Sequence, residues 1–109
     1  MVKCQRIMEI MEEIAPRGLA EEWDNPGLLV GSPQKEVRRL LVTLDVTEAA
    51  VDAALEIGAD MIVAHHPLIF KPMKNIRTDR PLGRLLQKIL AHDLAVFVAH
   101  TNLDSAVGG

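Results

Sequence analysis

Three short apolar runs in this chain each end in residues able to bind a metal or move a proton. No other feature constrains the fold as strongly. They are Leu40-Leu41-Val42-Thr43-Leu44-Asp45, Met61-Ile62-Val63-Ala64-His65-His66-Pro67 and Val96-Phe97-Val98-Ala99-His100-Thr101-Asn102-Leu103-Asp104. Short runs that are apolar throughout suit strands covered on both faces, as in a parallel sheet between helices. Parallel strands bring their C-terminal ends to one edge, and in open α/β sheets ligands and cofactors bind along that edge. Three of the four histidines, with Asp45 and Asp104, therefore fall where one site can collect them.

The intervening segments supply the rest of such a fold. Val2, Ile7, Met8, Ile10, Met11 and Ile14 recur at helical spacing and predict a helix over residues 2–15, ended by Pro16 and Gly18. Residues 21–27 carry turn chemistry in Asn25-Pro26-Gly27, and residues 28–31 read as a short strand. Trp23 and the acids Glu21 and Glu22 before the turn line a pocket, or Trp23 simply anchors the loop onto the core. A strand over 37–44, a helix over 47–57 opened by Thr47 and closed by Gly58, and a strand over 60–64 form one unit with an expected right-handed crossover. Pro67, Pro72 and Pro81 keep residues 67–80 from forming a long helix, leaving a loop with Lys71, Lys74, Arg77 and Arg80. Pro81 starts a second helix to residue 92, and residues 94–99 make the last strand. The order α–β–β–α–β–α–β predicts a single α/β domain, a mostly parallel sheet flanked by helices.

Composition narrows the function classes. At 109 residues and 49% apolar, the chain is the size of one domain and can bury a core without staples. A formal charge of −3 argues against a dedicated nucleic-acid binder, which carries a basic stripe. A single cysteine, Cys4, excludes an internal disulfide and fits a reducing compartment, so the cytoplasm is expected. Cys4 lies in the first helix with no histidine near it in sequence, so a buried, inert thiol is expected. Glu9, Glu12 and Glu13 interrupt any signal-peptide core, and no uncharged apolar run approaches the ~20 residues of a membrane span. The chain stops at Gly108-Gly109, directly after a ligand-rich stretch. That is expected of the front portion of a longer protein, or of one that completes its site with another chain.

His65-His66-Pro67 is the sharpest local signal. Adjacent side chains in a strand point to opposite faces, but Pro67 biases His66 towards extended geometry where the strand ends. Two imidazoles there can splay towards two ions, which suits a dinuclear centre. In the plainer alternative one histidine bonds a backbone carbonyl and the other is solvated. His100 and Asp104 at the next strand end favour metal, and a carboxylate can bridge two cations. Imidazole with carboxylate suits zinc, iron, manganese or nickel rather than a thiolate-selected ion. Thr101 and Asn102 could orient such ligands. Asp45 caps the following helix, or orients a histidine, or acts as a base. His92, at a helix C-terminus, is explained by the helix dipole. The basic loop would attract a phosphate-bearing substrate, and Gly108-Gly109 could offer amides to an anion.

Taken in order, Trp23-Asp24-Asn25-Pro26-Gly27-Leu28-Leu29-Val30-Gly31, Thr43-Leu44-Asp45-Val46-Thr47, His65-His66-Pro67-Leu68-Ile69-Phe70 and His100-Thr101-Asn102-Leu103-Asp104 through Gly108-Gly109 closely resemble the Ngg-interacting-factor-three-like family. Its bacterial members are labelled YbgI-like or GTP cyclohydrolase I type 2 homologues. The resemblance runs over essentially the whole chain. It implies the front lobe of a two-lobed α/β protein with a dinuclear metal centre, assembled as a ring-shaped homo-oligomer, commonly a hexamer. His65 and His66 match the family's paired ligands, Asp104 its metal-binding aspartate, and His100 a histidine near the centre. The family's remaining ligands, a histidine and a glutamate four residues later, lie far downstream, beyond Gly109.

Together these readings predict a metal-dependent hydrolase-like protein using two divalent ions. His65, His66 and Asp104 would hold metal, and Asp45 and His100 would orient ligands or move the proton. The reaction expected is of the GTP cyclohydrolase type or phosphate-ester hydrolysis, on a nucleotide or other phosphate-bearing substrate. The rival is a non-catalytic metal-holding ring that binds a partner protein or senses metal.

Overall fold

The computed structural model describes residues 1–21, 23–104 and 106. In chain order the elements are β1 (Val2–Lys3), α1 (Cys4–Ile14), a 3-10 turn (Arg17–Leu19), β2 (Gly27–Val30), β3 (Glu36–Val37), β4 (Leu40–Thr43), α2 (Glu48–Glu56), β5 (Met61–Ala64), α3 (Pro81–Ala91), β6 (Ala95–Val98) and α4 (Thr101–Asp104). Four strands form the main sheet in the order β2-β6-β5-β4. β4, β5 and β6 run parallel, and β2 joins β6 antiparallel. The expected mostly parallel α/β sheet is the one found.

Its inner strands carry the apolar runs, and their side chains alternate between two covered faces. Ile62, Ala64, Val96 and Val98 pack with Val51 and Ala54 of α2 and Leu86 and Ile89 of α3. Met61, Ala95 and Phe97 face the other way, with Cys4 of α1, backed by Ile7, Met8 and Met11. α2 and α3 thus share one face, as successive crossovers of one hand stepping in one direction require. Cys4 is fully buried, and burial pushes its thiol pKa up, partly offset by Lys35. That is the inert cysteine expected.

Two segments depart from the sequence reading. The strand expected over 37–44 is broken at Arg38 and Arg39, whose amides turn to the Asp60 carboxylate at 2.9 and 3.4 Å. Its first part, β3, pairs instead with β1, a two-residue strand that helical periodicity had absorbed into α1. The segment before β3 also completes the start of α1, where the amides of Cys4 and Gln5 donate to the Lys35 and Pro33 carbonyls at 2.7 and 2.8 Å. Among the described residues, no helix is long and apolar enough to cross a membrane.

Candidate metal centre

Thr43 pairs with Ala64 and Ala64 with Val98, so β4, β5 and β6 end level with one another. Backbone bonding continues one step beyond the strands, from His66 N to Leu44 O at 2.9 Å and from Ala99 N to Ala64 O at 3.0 Å. These bonds set Asp45, His65, His66 and His100 side by side on the C-terminal edge of the sheet. α4 follows at once and carries Asp104.

The three imidazoles converge. One ring nitrogen from each of His65, His66 and His100 lies within 4.8 Å of the others, a group that could hold a metal ion. Each ring is fixed through Nδ1 by an oxygen acceptor. His65 Nδ1 meets the Ala99 carbonyl at 2.8 Å, His66 Nδ1 meets Asp45 Oδ1 at 2.6 Å, and His100 Nδ1 meets Asp24 Oδ1 at 2.9 Å. An oxygen at Nδ1 places the proton there and leaves the Nε2 lone pair available, the arrangement found behind metal-binding histidines. Asp104 Oδ1 lies 3.5 Å from His65 Nε2. Three imidazoles with the carboxylates of Asp24, Asp45 and Asp104 about them, and no thiolate among them, are a donor set that could hold a metal ion.

The best-supported part of this frame is Asp24. Its side chain is fully buried. The carboxylate accepts from the Thr101 hydroxyl at 2.5 Å, the Thr101 amide at 2.9 Å and the Asn25 amide at 2.8 Å, besides His100. Burial pushes its pKa up. The bonds from the Thr101 hydroxyl and His100, with those from the two amides, outweigh burial and hold it at about 2. Asp24 is therefore a permanent anion behind His100. Asn102, also buried, accepts from the His100 amide at 2.8 Å and donates to the Ala15 carbonyl at 2.8 Å, anchoring α4 to the end of α1.

His65, His66, His100, Asp45 and Asp104, the residues singled out in the sequence, all meet here. The carbonyl bond of the plainer histidine alternative is present in His65, yet it orients the ring rather than consuming it. Asp45 does not cap α2: Thr47 does, accepting from Ala50 N at 3.1 Å, and this frees Asp45 for His66. Thr101 and Asn102, expected to donate to ligands, do not do so directly: Thr101 donates to Asp24, which meets His100, and Asn102 accepts from the His100 amide and donates to the Ala15 carbonyl. Trp23 does not anchor its loop in the core; it is 58% exposed and stacks on Phe70. His92 stands apart, its Nδ1 against the Lys88 carbonyl at the end of α3. Asp24 is the residue that sequence reasoning missed, since 76 positions separate it from His100. The acid inside Trp23-Asp24-Asn25-Pro26-Gly27 was its only signal. Glu22 and the Gly108-Gly109 anion site lie outside the described residues.

The profile model of the family described as Duf34/NIF3 (NGG1p interacting factor 3) matches residues 2–109. The chain belongs to this family. It is similar to the GTP cyclohydrolase 1 type 2 homolog of Halalkalibacterium halodurans, at 47% identity over 96% of this chain and 28% of that protein. The protein of the same name from Clostridium perfringens is 43% identical over 99% of this chain and 41% of its own length. Among solved structures, a Bacillus cereus protein related to NIF3 superposes with a TM-score of 0.95 at 45% identity, covering 99% of this chain and 30% of that one. Reduced HcgD from Methanocaldococcus jannaschii superposes with a TM-score of 0.87 at 36% identity, covering 94% and 41%. The chain thus spans well under half the length of these Duf34/NIF3 proteins and corresponds to one lobe of their fold.

Proposed function

We propose that this chain supplies one side of a dinuclear metal centre in a cytoplasmic, hydrolase-like Duf34/NIF3 protein that works as a homohexameric ring. The observation that carries this reading is the convergence of three imidazoles, each held at Nδ1 by an oxygen and so left with Nε2 free. His65, His66 and Asp104 would be this chain's ligands, completed by the family's downstream histidine and glutamate. Two divalent ions about 3.5–4 Å apart lower the pKa of a bridging water and polarise the attacked centre. Asp45 holds the His66 ring in register, and His100, backed by the Asp24 anion, is within the cluster and able to accept or return a proton. The name of the relatives and the exposed loop with Lys71, Lys74 and Arg80 favour a nucleotide or other phosphate-bearing substrate. Hydrolytic opening of a purine ring and phosphate-ester hydrolysis both use such a water.

Elemental analysis of protein purified without an affinity tag or chelator tests this. Close to two equivalents of zinc, iron, manganese or nickel per chain, lost in His65→Ala and Asp104→Ala, is the expected result. Protein that takes up none of these ions makes the downstream histidine and glutamate essential for loading, and the same analysis on a protein that carries them then decides: metal-free there as well refutes the proposal.

A second reading, a metal-holding ring that binds a partner protein without turnover, draws on a different surface. Leu40, Val42 and Leu44 are exposed at the edge of the sheet, Val42 by 73%. Metal binding without hydrolysis of GTP or phosphate esters favours this reading.

A further inference from the structure

Of the three histidines at the sheet edge, His100 is the most firmly held. Its side chain is 16% exposed, against 24% for His65 and 46% for His66. Its amide donates to Asn102 Oδ1 at 2.8 Å, and its carbonyl accepts from the amides of Leu103 and Asp104 at 3.1 and 3.2 Å. Those backbone bonds fix where the side chain starts but leave the ring free to rotate. Its rotation is set at Nδ1, which meets Asp24 Oδ1 at 2.9 Å. Whatever fixes the plane of the Asp24 carboxylate therefore aims His100 Nε2.

Thr101 fixes that plane. Its hydroxyl and its amide both reach Asp24 Oδ2, at 2.5 and 2.9 Å, while the Asn25 amide and His100 share Oδ1. A hydroxyl has one proton and two lone pairs. The Glu21 amide donates to Thr101 Oγ1 at 2.9 Å, so the hydroxyl accepts there and turns its proton to the Asp24 anion. The bonds then run in one direction, from the Glu21 amide through the Thr101 hydroxyl to Asp24, with His100 Nδ1–H donating to the other carboxylate oxygen. Helix capping does not account for the hydroxyl. In α4 the Thr101 amide is satisfied by Asp24, and those of Leu103 and Asp104 by the His100 carbonyl.

We propose that Thr101 is a positioning residue for His100: its hydroxyl, oriented by the Glu21 amide, locks the Asp24 carboxylate and so keeps the His100 proton on Nδ1 with Nε2 aimed into the cluster. A group that moves a proton must be held within about 0.5 Å and 10–20° of its working geometry by partners that are themselves fixed. The inference deepens the functional reading above and rests on it for what His100 Nε2 does. The geometry it describes requires no metal.

Nitrogen-15 resonances of the histidine rings test this in the full chain, kept metal-free with chelator at one neutral pH. His100 is assigned from a His100→Asn chain. In the unsubstituted chain and in Thr101→Ser, His100 should carry a slowly exchanging proton on Nδ1 and none on Nε2. In Thr101→Val, equal in shape but without the hydroxyl, that proton should exchange about tenfold faster, the weight of one hydrogen bond to a charged group. The two tautomers should then mix, with His65, His66 and the far-ultraviolet circular dichroism unchanged.

A Thr101→Val chain whose His100 matches the unsubstituted one overturns the proposal. So does a His100 protonated at Nε2 in the unsubstituted chain. Thr101→Ser losing the Nδ1 proton as fully as Thr101→Val overturns it too, assigning the role to packing of the methyl group. If Thr101→Val does not fold, Thr101→Ala is read in the same way; failure of both to fold beside a folded Thr101→Ser assigns the hydroxyl to stability and overturns the positioning role. Failure to take up metal leaves Thr101 and His100 as described and removes the hydrolase reading; metal uptake with an unaffected His100 in Thr101→Val does the reverse.

Discussion

Replacing Asp24 by asparagine removes one charge from the most enclosed point of the site, and the consequences can be worked through. Folding lowers this carboxyl from 3.8 to about 2, which is worth about 2 kcal/mol at neutral pH at 1.36 kcal/mol per unit. Asparagine keeps one acceptor oxygen but turns an NH₂ group towards donors, whether the Thr101 amide, the Thr101 hydroxyl or His100 Nδ1. An unsatisfied buried donor adds about 1–3 kcal/mol. The expected loss at pH 7 is therefore about 3–5 kcal/mol, a large share of the ~5–15 kcal/mol of a small domain.

The pH dependence separates the charge from the packing. The folded-state pKa lies below the unfolded one, so this contribution is complete above about pH 5 and declines as pH falls through 3.8 towards 2. At pH 3 the advantage of the unsubstituted chain over Asp24→Asn should have shrunk by about 1 kcal/mol. Urea denaturation of both chains at pH 7 and pH 3, followed by circular dichroism, measures this. An equal difference at the two pH values, or a difference under about 1 kcal/mol at pH 7, would refute the hydrogen-bonded anion behind His100. The same substitution should loosen the His100 ring, which loses its carboxylate partner at Nδ1.

Other substitutions probe independent parts of the molecule. Asp45→Asn, at a half-exposed carboxylate, should leave stability nearly unchanged but lower metal affinity about 10–100-fold, read by competition with a chromogenic chelator. Gly83→Ala should destabilise by about 1–3 kcal/mol or more, because a Cβ there would stand 1.9 Å from the Arg77 carbonyl and force α3 off its loop; thermal denaturation measures it. Val42→Asp should leave the monomer as stable as before and reduce self-association through the exposed face of β4, and light scattering showing a strict monomer before substitution would count against that surface.

Much of the fold was legible because the inner strands advertise their burial. All four residues of β6 and three of the four in β5 are buried, and no polar residue interrupts either run. Helix limits were equally plain at Thr47 and Pro81, where a cap and a fixed φ act within one turn of chain. The errors fell where a distant partner overrode local pattern. Arg38 and Arg39 carry no turn signal, and it is the Asp60 carboxylate that pulls their amides out of line. Val2 and Lys3 fit a helix by spacing and pair as a strand only because Glu36 and Val37 lie beside them.

The candidate site divides in the same way. That histidines and aspartates would gather at one edge followed from sequence, since parallel strands of matched length must end together. Which nitrogen each histidine presents did not. Tautomer and ring direction depend on Ala99, Asp45 and Asp24, contributed by three different segments, and only the folded chain brings them to Nδ1. Asp45 shows the contrast in one residue. By sequence it was a candidate helix cap, but Thr47 takes the cap, and the level ends of β4 and β5 then leave its carboxylate 2.6 Å from His66. The sequence by itself determined the class of sheet and the donors at its edge, because burial and strand period are local properties of the chain. The tertiary structure alone decided how those donors are aimed, because aim depends on hydrogen-bond partners separated by as many as 76 residues.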